Sequence, residues 1–392
     1  CQTKYDGYIL NGNIGGNSEG MKVQLVNEAV YPPVTIDSTV IKNGRFQLKG
    51  KVDRPGMYQL IIDKTGQDDP SQMLASRFYL ENSVSYSGHV DSLRTYYWSD
   101  ETFRKDPVVK GSASQDLYDR YLKSIADLRK QSGTINEKYL EVYHRPAMDG
   151  IFNTEEGIAL IKQENEINKK LNIAQWKFIE EHPENIVGYD LALQFLQGMY
   201  VNLTVPQLEQ LTTLITKAWA NIPPMAENFK TIADKAKTMA IGEKYQDIEL
   251  MNPEGKMVKL SSCVPEGKYV MLEFWASWCG PCRAEIPHLK EAFESCNGKG
   301  VEFLSVSIDK DGAAWRKAMK EENMPWAQVQ APKAGKDVMK LYQFSGIPYI
   351  LVLDQEGRIV GKNLRGKALM DKLEEMVSGK KKESVAMPAM GM

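Results

Sequence analysis

Along the first quarter of the chain the apolar positions come in short alternating runs. These are Tyr8-Ile9-Leu10, Met21 to Val26, Gly44 to Leu48, Met57 to Ile62, Arg77 to Leu80 and Val84 to Gly88. Asn-Gly, Gly-Gly, Pro-Gly and Pro-Pro pairs punctuate them. A period of two broken by turn formers at this spacing predicts an all-β sandwich or barrel over residues 1–105. The period then changes. Within residues 106–240, the segments Gln115 to Gln131, Glu155 to Glu181, Ile186 to Tyr200, Pro206 to Ala220 and Met225 to Ala240 place apolar residues three and four apart, as helix faces do. Pro183, Pro206 and Pro223-Pro224 mark the breaks. Stripes such as Ile173, Trp176, Phe178 and Ile179 read as packing faces, so this region is expected to be a helical linker domain. It shows no fixed period that would argue for a solenoid.

From 241 to 379 strands and helices alternate. Asp247 to Met251 and Met257 to Leu260 flank the turn Asn252-Pro253-Glu254-Gly255 and predict a hairpin. Tyr269 to Trp275 is a continuous apolar strand, followed by a helix from Pro281 to Ser295 and a second buried strand from Val301 to Ile308. Helices at Ala313 to Glu322 and Lys336 to Phe344 bracket an extended Trp326 to Gln330. Tyr349 to Leu353 and Arg358 to Val360 form another hairpin, and Lys367 to Val377 a last helix. This order argues for an α/β layer fold. Residues 380–392 lack periodicity and are expected to be a disordered tail. The chain is thus multidomain: all-β, then α-helical, then α/β.

Composition changes this picture little. At 392 residues there is room for two to three domains, and 42% hydrophobic with 26% charged residues is ordinary for globular protein. A net charge of −2 gives no reason to expect nucleic acid as a partner. No apolar run approaches the roughly 18 residues that a membrane span needs. The first residue, Cys1, is expected to be the lipid-bearing cysteine of a secreted lipoprotein, exposed when a signal peptide is cleaved before it. The plainer reading is an arbitrary chain boundary. Stable anchoring takes more than one acyl chain, which an intact mass of the membrane-extracted protein would show.

The chemistry gathers in Phe274-Trp275-Ala276-Ser277-Trp278-Cys279-Gly280-Pro281-Cys282. Two cysteines separated by two residues serve either metal binding or dithiol redox. A structural zinc site needs a second pair or suitably spaced histidines. Cys263 and Cys296 do not make such a pair, and His89, His144, His182 and His288 are scattered. No metal is expected; His89 reads as structural or exposed, and His288 as structural. The redox reading wins because the motif follows a buried strand and opens a helix. At a helix N-terminus, the dipole and unpaired amides favour thiolate, the attacking form. Cys279 is therefore the expected nucleophile. Cys282, one turn into the helix, is expected to resolve the mixed disulfide, and Pro281 starts the helix without needing its amide. The redox-active Cys279–Cys282 disulfide is the whole redox group, with no separate cofactor.

The segment resembles thioredoxin, and residues 243–378 are more similar to the TlpA/ResA-like envelope thiol–disulfide oxidoreductases. The likeness rests on Phe274-Trp275-Ala276 before the motif and on Gly346-Ile347-Pro348. It rests equally on Arg283-Ala284-Glu285-Ile286-Pro287 after the motif, on the leading hairpin, and on the helical insertion after Ser307-Ile308-Asp309. The β region resembles domains found ahead of such modules in envelope lipoproteins. The resemblance implies a cis-proline at Pro348 facing the disulfide, which leaves the Ile347 backbone to pair with an extended substrate. It implies a substrate-facing surface of Trp278, Gly280, Pro281, Ile347 and Pro348. It also places Glu273 where thioredoxin has a buried aspartate. Burial would raise its pKa and suit it to accept the Cys282 proton, although the neighbouring lysine of thioredoxin is replaced here by Ser305. Cys263 and Cys296 fall at the pole opposite the motif. Independent thiols are the default there, with a disulfide as the alternative.

The function so implied is a lipid-anchored envelope or periplasmic oxidoreductase. The Gly-Pro dipeptide favours reduction of disulfides in exported proteins, fed by a membrane thiol electron donor. Competing readings are a disulfide isomerase or oxidase, or a partner-binding lipoprotein with an accessory redox module.

Overall fold

The computed structural model describes residues 7–30, 32–52, 56–97, 104–151, 153–198, 201–296 and 298–379. Cys1 and the 380–392 tail lie outside the described residues. Contacts divide the chain into two compact units. One holds the described residues up to Ser124 with Glu184–Asp190. The other holds Ile125–Pro183 and the described residues from Leu191.

The first unit carries strands β1 (Tyr8–Gly15), β2 (Lys22–Asn27), β3 (Val34–Val40), β4 (Arg45–Gly50), β5 (Gly56–Asp63), β6 (Met73–Leu80), β7 (Ser83–His89) and β8 (Val108–Lys110), then helix α1 (Ala113–Ser124). They form two four-stranded sheets, ordered β4-β1-β7-β8 and β3-β2-β5-β6. One core joins them, with Leu10, Leu48 and Val84 from one sheet and Val23, Leu60 and Phe78 from the other. This is the sandwich that the alternation predicts, since strands buried on one face read in steps of two. The alternation predicts no strand at β3. Its apolar residues Val34, Ile36 and Val40 are exposed on a sheet edge, so its pattern carries no burial signal.

Central helices follow: α2 (Ala126–Tyr139), a π-helical turn (Leu140–His144), α3 (Arg145–Met148), α4 (Thr154–Glu181), α5 (Ile186–Gln197), α6 (Val205–Ala218) and α7 (Pro223–Lys237). Thr204 caps α6 with a capping box completed by Gln207, and Pro206 sits in its first turn.

The C-terminal part contains β9 (Glu249–Met251), β10 (Met257–Lys259), β11 (Tyr269–Trp275), α8 (Gly280–Cys296), β12 (Val301–Ser307), α9 (Gly312–Glu322), β13 (Ala327–Gln330), α10 (Lys336–Tyr342), β14 (Tyr349–Leu353), β15 (Ile359–Lys362) and α11 (Gly366–Ser378). Its seven-stranded sheet runs β10-β9-β13-β12-β11-β14-β15. β11 lies parallel to β12 and antiparallel to β14. From Val270 to Trp275 every residue of β11 is buried, as a strand covered on both faces must be. This is a thioredoxin-like α/β sheet. The chain end of β11 therefore delivers the motif to the start of α8.

Candidate functional site

The loop between β11 and α8 is four residues long, Ala276 to Cys279. Asp309, buried just past β12, holds it in place. Its carboxylate accepts hydrogen bonds from the Ser277 amide at 2.8 Å, from Ser277 Oγ at 2.6 Å and from Ser307 Oγ at 2.7 Å. Sequence reasoning gives Asp309 no role. The only hint is its place in the Ser307-Ile308-Asp309 run.

Cys279 and Cys282 are joined in a disulfide. Cys282 is fully buried and Cys279 is 4% exposed, while the adjacent Trp278 is 62% exposed. The Cys282 amide donates to Cys279 Sγ at 3.2 Å. Together with the positive end of α8, that amide favours negative charge on Cys279 once the disulfide opens. Across from it the Ile347–Pro348 peptide bond is cis, and the Ile347 carbonyl oxygen lies 3.8 Å from Cys279 Sγ. Cys263 and Cys296 are free thiols in the same fold, not bonded to each other.

Glu273 is fully buried on β11, directly opposite Ser305 of β12. Its Oε2 accepts from Ser305 Oγ at 2.6 Å, and Ser305 Oγ in turn accepts from Trp326 Nε1 at 2.8 Å. Oε1 has no partner. Burial pushes the Glu273 carboxyl up to about 8; the Ser305 hydrogen bond opposes this, and the charge of Glu285 adds to it. Glu285 is a second buried carboxyl, to which the sequence alone assigns no role. It stands three residues after Cys282 on α8, on the same helix face. Its Oε1 accepts the Gly366 amide at 2.7 Å at the N-terminus of α11. Burial raises its pKa too, against the pull of that amide and of Arg365. The Arg365 guanidinium donates to the Pro348 carbonyl at 2.8 Å.

Gly280 and Pro281, expected on the substrate face, are buried under the segment that follows α2. A Cβ on Gly280 would stand 2.1 Å from the Ala147 carbonyl oxygen and 2.8 Å from the Met148 amide nitrogen. The Tyr143 hydroxyl donates to the Pro281 carbonyl at 3.4 Å, and Tyr143 and Ala147 pack on Ala284 of α8. Burial raises the Tyr143 phenol, so it stays neutral. Beside this contact lies a cavity of about 290 Å³ between α2, the π turn and α4 on one side and Pro281, Gly346 and Ile347 on the other. Trp278 is exposed and Ile347 half-buried, whereas Pro348 is buried. No group of three His, Cys, Asp or Glu among the described residues is placed to hold a metal.

A Cys-x-x-Cys disulfide at the N-terminus of the helix following the central strand of such a sheet defines a thioredoxin-fold thiol–disulfide oxidoreductase. The comparisons agree. Residues 241–362 match the AhpC/TSA family, and residues 8–118 match a domain of unknown function, DUF4369. The thiol-disulfide oxidoreductase ResA of a Bacillus cereus strain is 30% identical over 142 residues, 36% of this chain and 79% of that protein. The ResA of Oceanobacillus iheyensis is 31% identical over 145 residues, 36% of this chain and 73% of its own. Among solved structures, the thioredoxin domain of a thiol-disulfide oxidoreductase from Bacteroides vulgatus is 36% identical. It covers 35% of this chain and 98% of that one, with a TM-score of 0.33. The chain belongs to the TlpA/ResA-like thiol–disulfide oxidoreductases.

Proposed function

We propose that this oxidoreductase works in the cell envelope and reduces disulfides of exported proteins. The observation that carries the reading is the Cys279–Cys282 pair at the start of α8, with the Cys282 amide on Cys279 Sγ and the Ile347 carbonyl alongside. In the reduced enzyme the Cys279 thiolate attacks one sulfur of a substrate disulfide. That bond breaks, one substrate thiolate leaves and takes a proton, and a mixed disulfide remains on Cys279. Glu273, as carboxylate, accepts the Cys282 proton. The Cys282 thiolate attacks Cys279 Sγ, the second substrate thiolate leaves, and two electrons have passed to the substrate. Burial holds the Glu273 carboxyl up near 8, so its ionised form is a far stronger base than an ordinary carboxylate and suits it to take a thiol proton. No cofactor enters. A membrane thiol donor re-reduces the pair.

The Gly-Pro dipeptide supports the reducing direction, since thioredoxin, with the same pair, sits near −270 mV. Equilibration in glutathione or dithiothreitol buffers with thiol trapping tests it. A potential at or below about −250 mV is expected. One between about −180 and −120 mV would make the protein an isomerase or oxidase, the second reading the same residues allow.

A further inference from the structure

We infer that the cavity beside the disulfide is a side-chain pocket that selects substrates with a large apolar residue next to the reactive cysteine. The inference rests on the oxidoreductase reading and deepens it. The face of the motif formed by Gly280 and Pro281 is closed by the backbone of Ala147 and Met148 and by Tyr143. Cys279 is 4% exposed, so a broad, folded surface has no flat approach to it. The open side is that of Ile347, whose carbonyl stands 3.8 Å from Cys279 Sγ. A substrate therefore arrives there as an extended segment, pairing with the Ile347 backbone as an added strand does.

Successive side chains of such a strand point to opposite sides. With the substrate cysteine at Cys279, a side chain close to it in the strand comes to the cavity, because the Gly346-Ile347 segment that pairs with the substrate also lines the cavity. The other wall carries the apolar Ile135, Tyr139, Leu140, Leu160 and Ile161 from α2, the π turn and α4, interspersed with polar residues of the same helices such as Asn136 and Glu164. At about 290 Å³ the cavity sits at the lower end of ligand pockets, which run from about 300 to 1,000 Å³. It has room for one large side chain and not for a cofactor. The helical segment, rather than the thioredoxin-like sheet, then sets which substrate is taken.

The test uses the full chain, reduced with dithiothreitol and then freed of it. The probes are short linear peptides whose single cysteine is a mixed disulfide with glutathione, flanked on either side by Leu, Phe, Gly or Asp. 2-Hydroxyethyl disulfide serves as a probe with no side chain. Leu and Phe peptides are expected to react about tenfold faster or more than Gly and Asp peptides. Ile135→Trp, a partly exposed position that points bulk into the cavity wall, is expected to bring the Leu-to-Gly rate ratio to near one. That ratio normalises any general loss. Reduction of 2-hydroxyethyl disulfide without any flank preference in the wild type would overturn the pocket and leave the oxidoreductase reading standing. A ratio unchanged in Ile135→Trp would overturn it equally. Failure to reduce either kind of probe would overturn the reading beneath it as well.

Discussion

Glu273 occupies a strand position where an ionised carboxylate has almost nothing to balance it. One neutral hydroxyl reaches it, from Ser305, and its second oxygen has no partner. Its proton is therefore held far more tightly in the folded chain than in the unfolded one. A folded pKa near 8, against an ordinary 4.5, means that the folded state carries a proton the unfolded state has released throughout that window. Stability then falls as pH rises from about 4.5 to about 8. Glu273→Gln removes this titration, so the loss of stability over that window is expected to be shallower in the oxidised variant than in the oxidised wild type, measured by urea midpoints. Equal slopes would show that Glu273 titrates normally. The same substitution removes the proton acceptor for Cys282. Resolution is expected to slow by about 100-fold, with the reduction potential nearly unchanged. The position itself is readable in the sequence. A lone acid inside Val270-Met271-Leu272-Glu273-Phe274-Trp275 has no exposed face to choose, and register places Ser305 beside it.

At the scale of elements, the helical stretch ending in α3 separates this protein from a bare thioredoxin-like sheet. α2 buries no side chain, and the periodicity predicts helix only as far as Gln131. Helix in fact continues through the π turn to Met148. Periodicity could not reveal it, because a helix that is polar on most sides has no apolar stripe to count. What holds the stretch is tertiary. Ser132 Oγ donates to Glu164 of α4 at 2.7 Å, Asn153 Nδ2 donates to the Val142 carbonyl at 2.7 Å, and Tyr143 and Ala147 pack on α8. By contrast β11 was legible because burial on both faces leaves a nearly continuous apolar run. Gly280 is the hinge of the contact. On helix propensity alone, Gly280→Ala gains about 0.5–1 kcal/mol. The new methyl would meet backbone, not a yielding side chain, and overpacking of that kind costs about 1–3 kcal/mol. The clash wins. Gly280→Ala is expected to lower stability by about 1–2 kcal/mol and to speed alkylation of reduced Cys279 as the segment is pushed away. A more stable variant with unchanged alkylation would show that residues 145–148 do not bear on the motif.

For the whole molecule, the redox poise of the pair and the stability of the fold are linked. A fold that prefers the disulfide to the dithiol both lowers the potential and gains stability on oxidation. A strong oxidant does the reverse, because its reduced form is the stabilised one. Each ~30 mV by which the folded pair lies below the unfolded pair is worth about 1.4 kcal/mol. For a unit of this size that shifts Tm by about 3–6 °C. The cysteines of the described residues all belong to the second unit, and Cys263 and Cys296 are already thiols. Reduction therefore changes the 279–282 bond alone, and residues 7–124 hold no cysteine that could respond. With two compact units a thermogram need not be two-state, so the transition that moves on reduction identifies the unit that carries the sheet. Scanning calorimetry of the oxidised and dithiothreitol-reduced protein is expected to show that transition at lower temperature after reduction. The same transition rising on reduction would mean that the fold stabilises the dithiol. Electrons would then flow from substrate to enzyme, and the protein would be an oxidant whose Gly-Pro dipeptide is outweighed by the rest of its site.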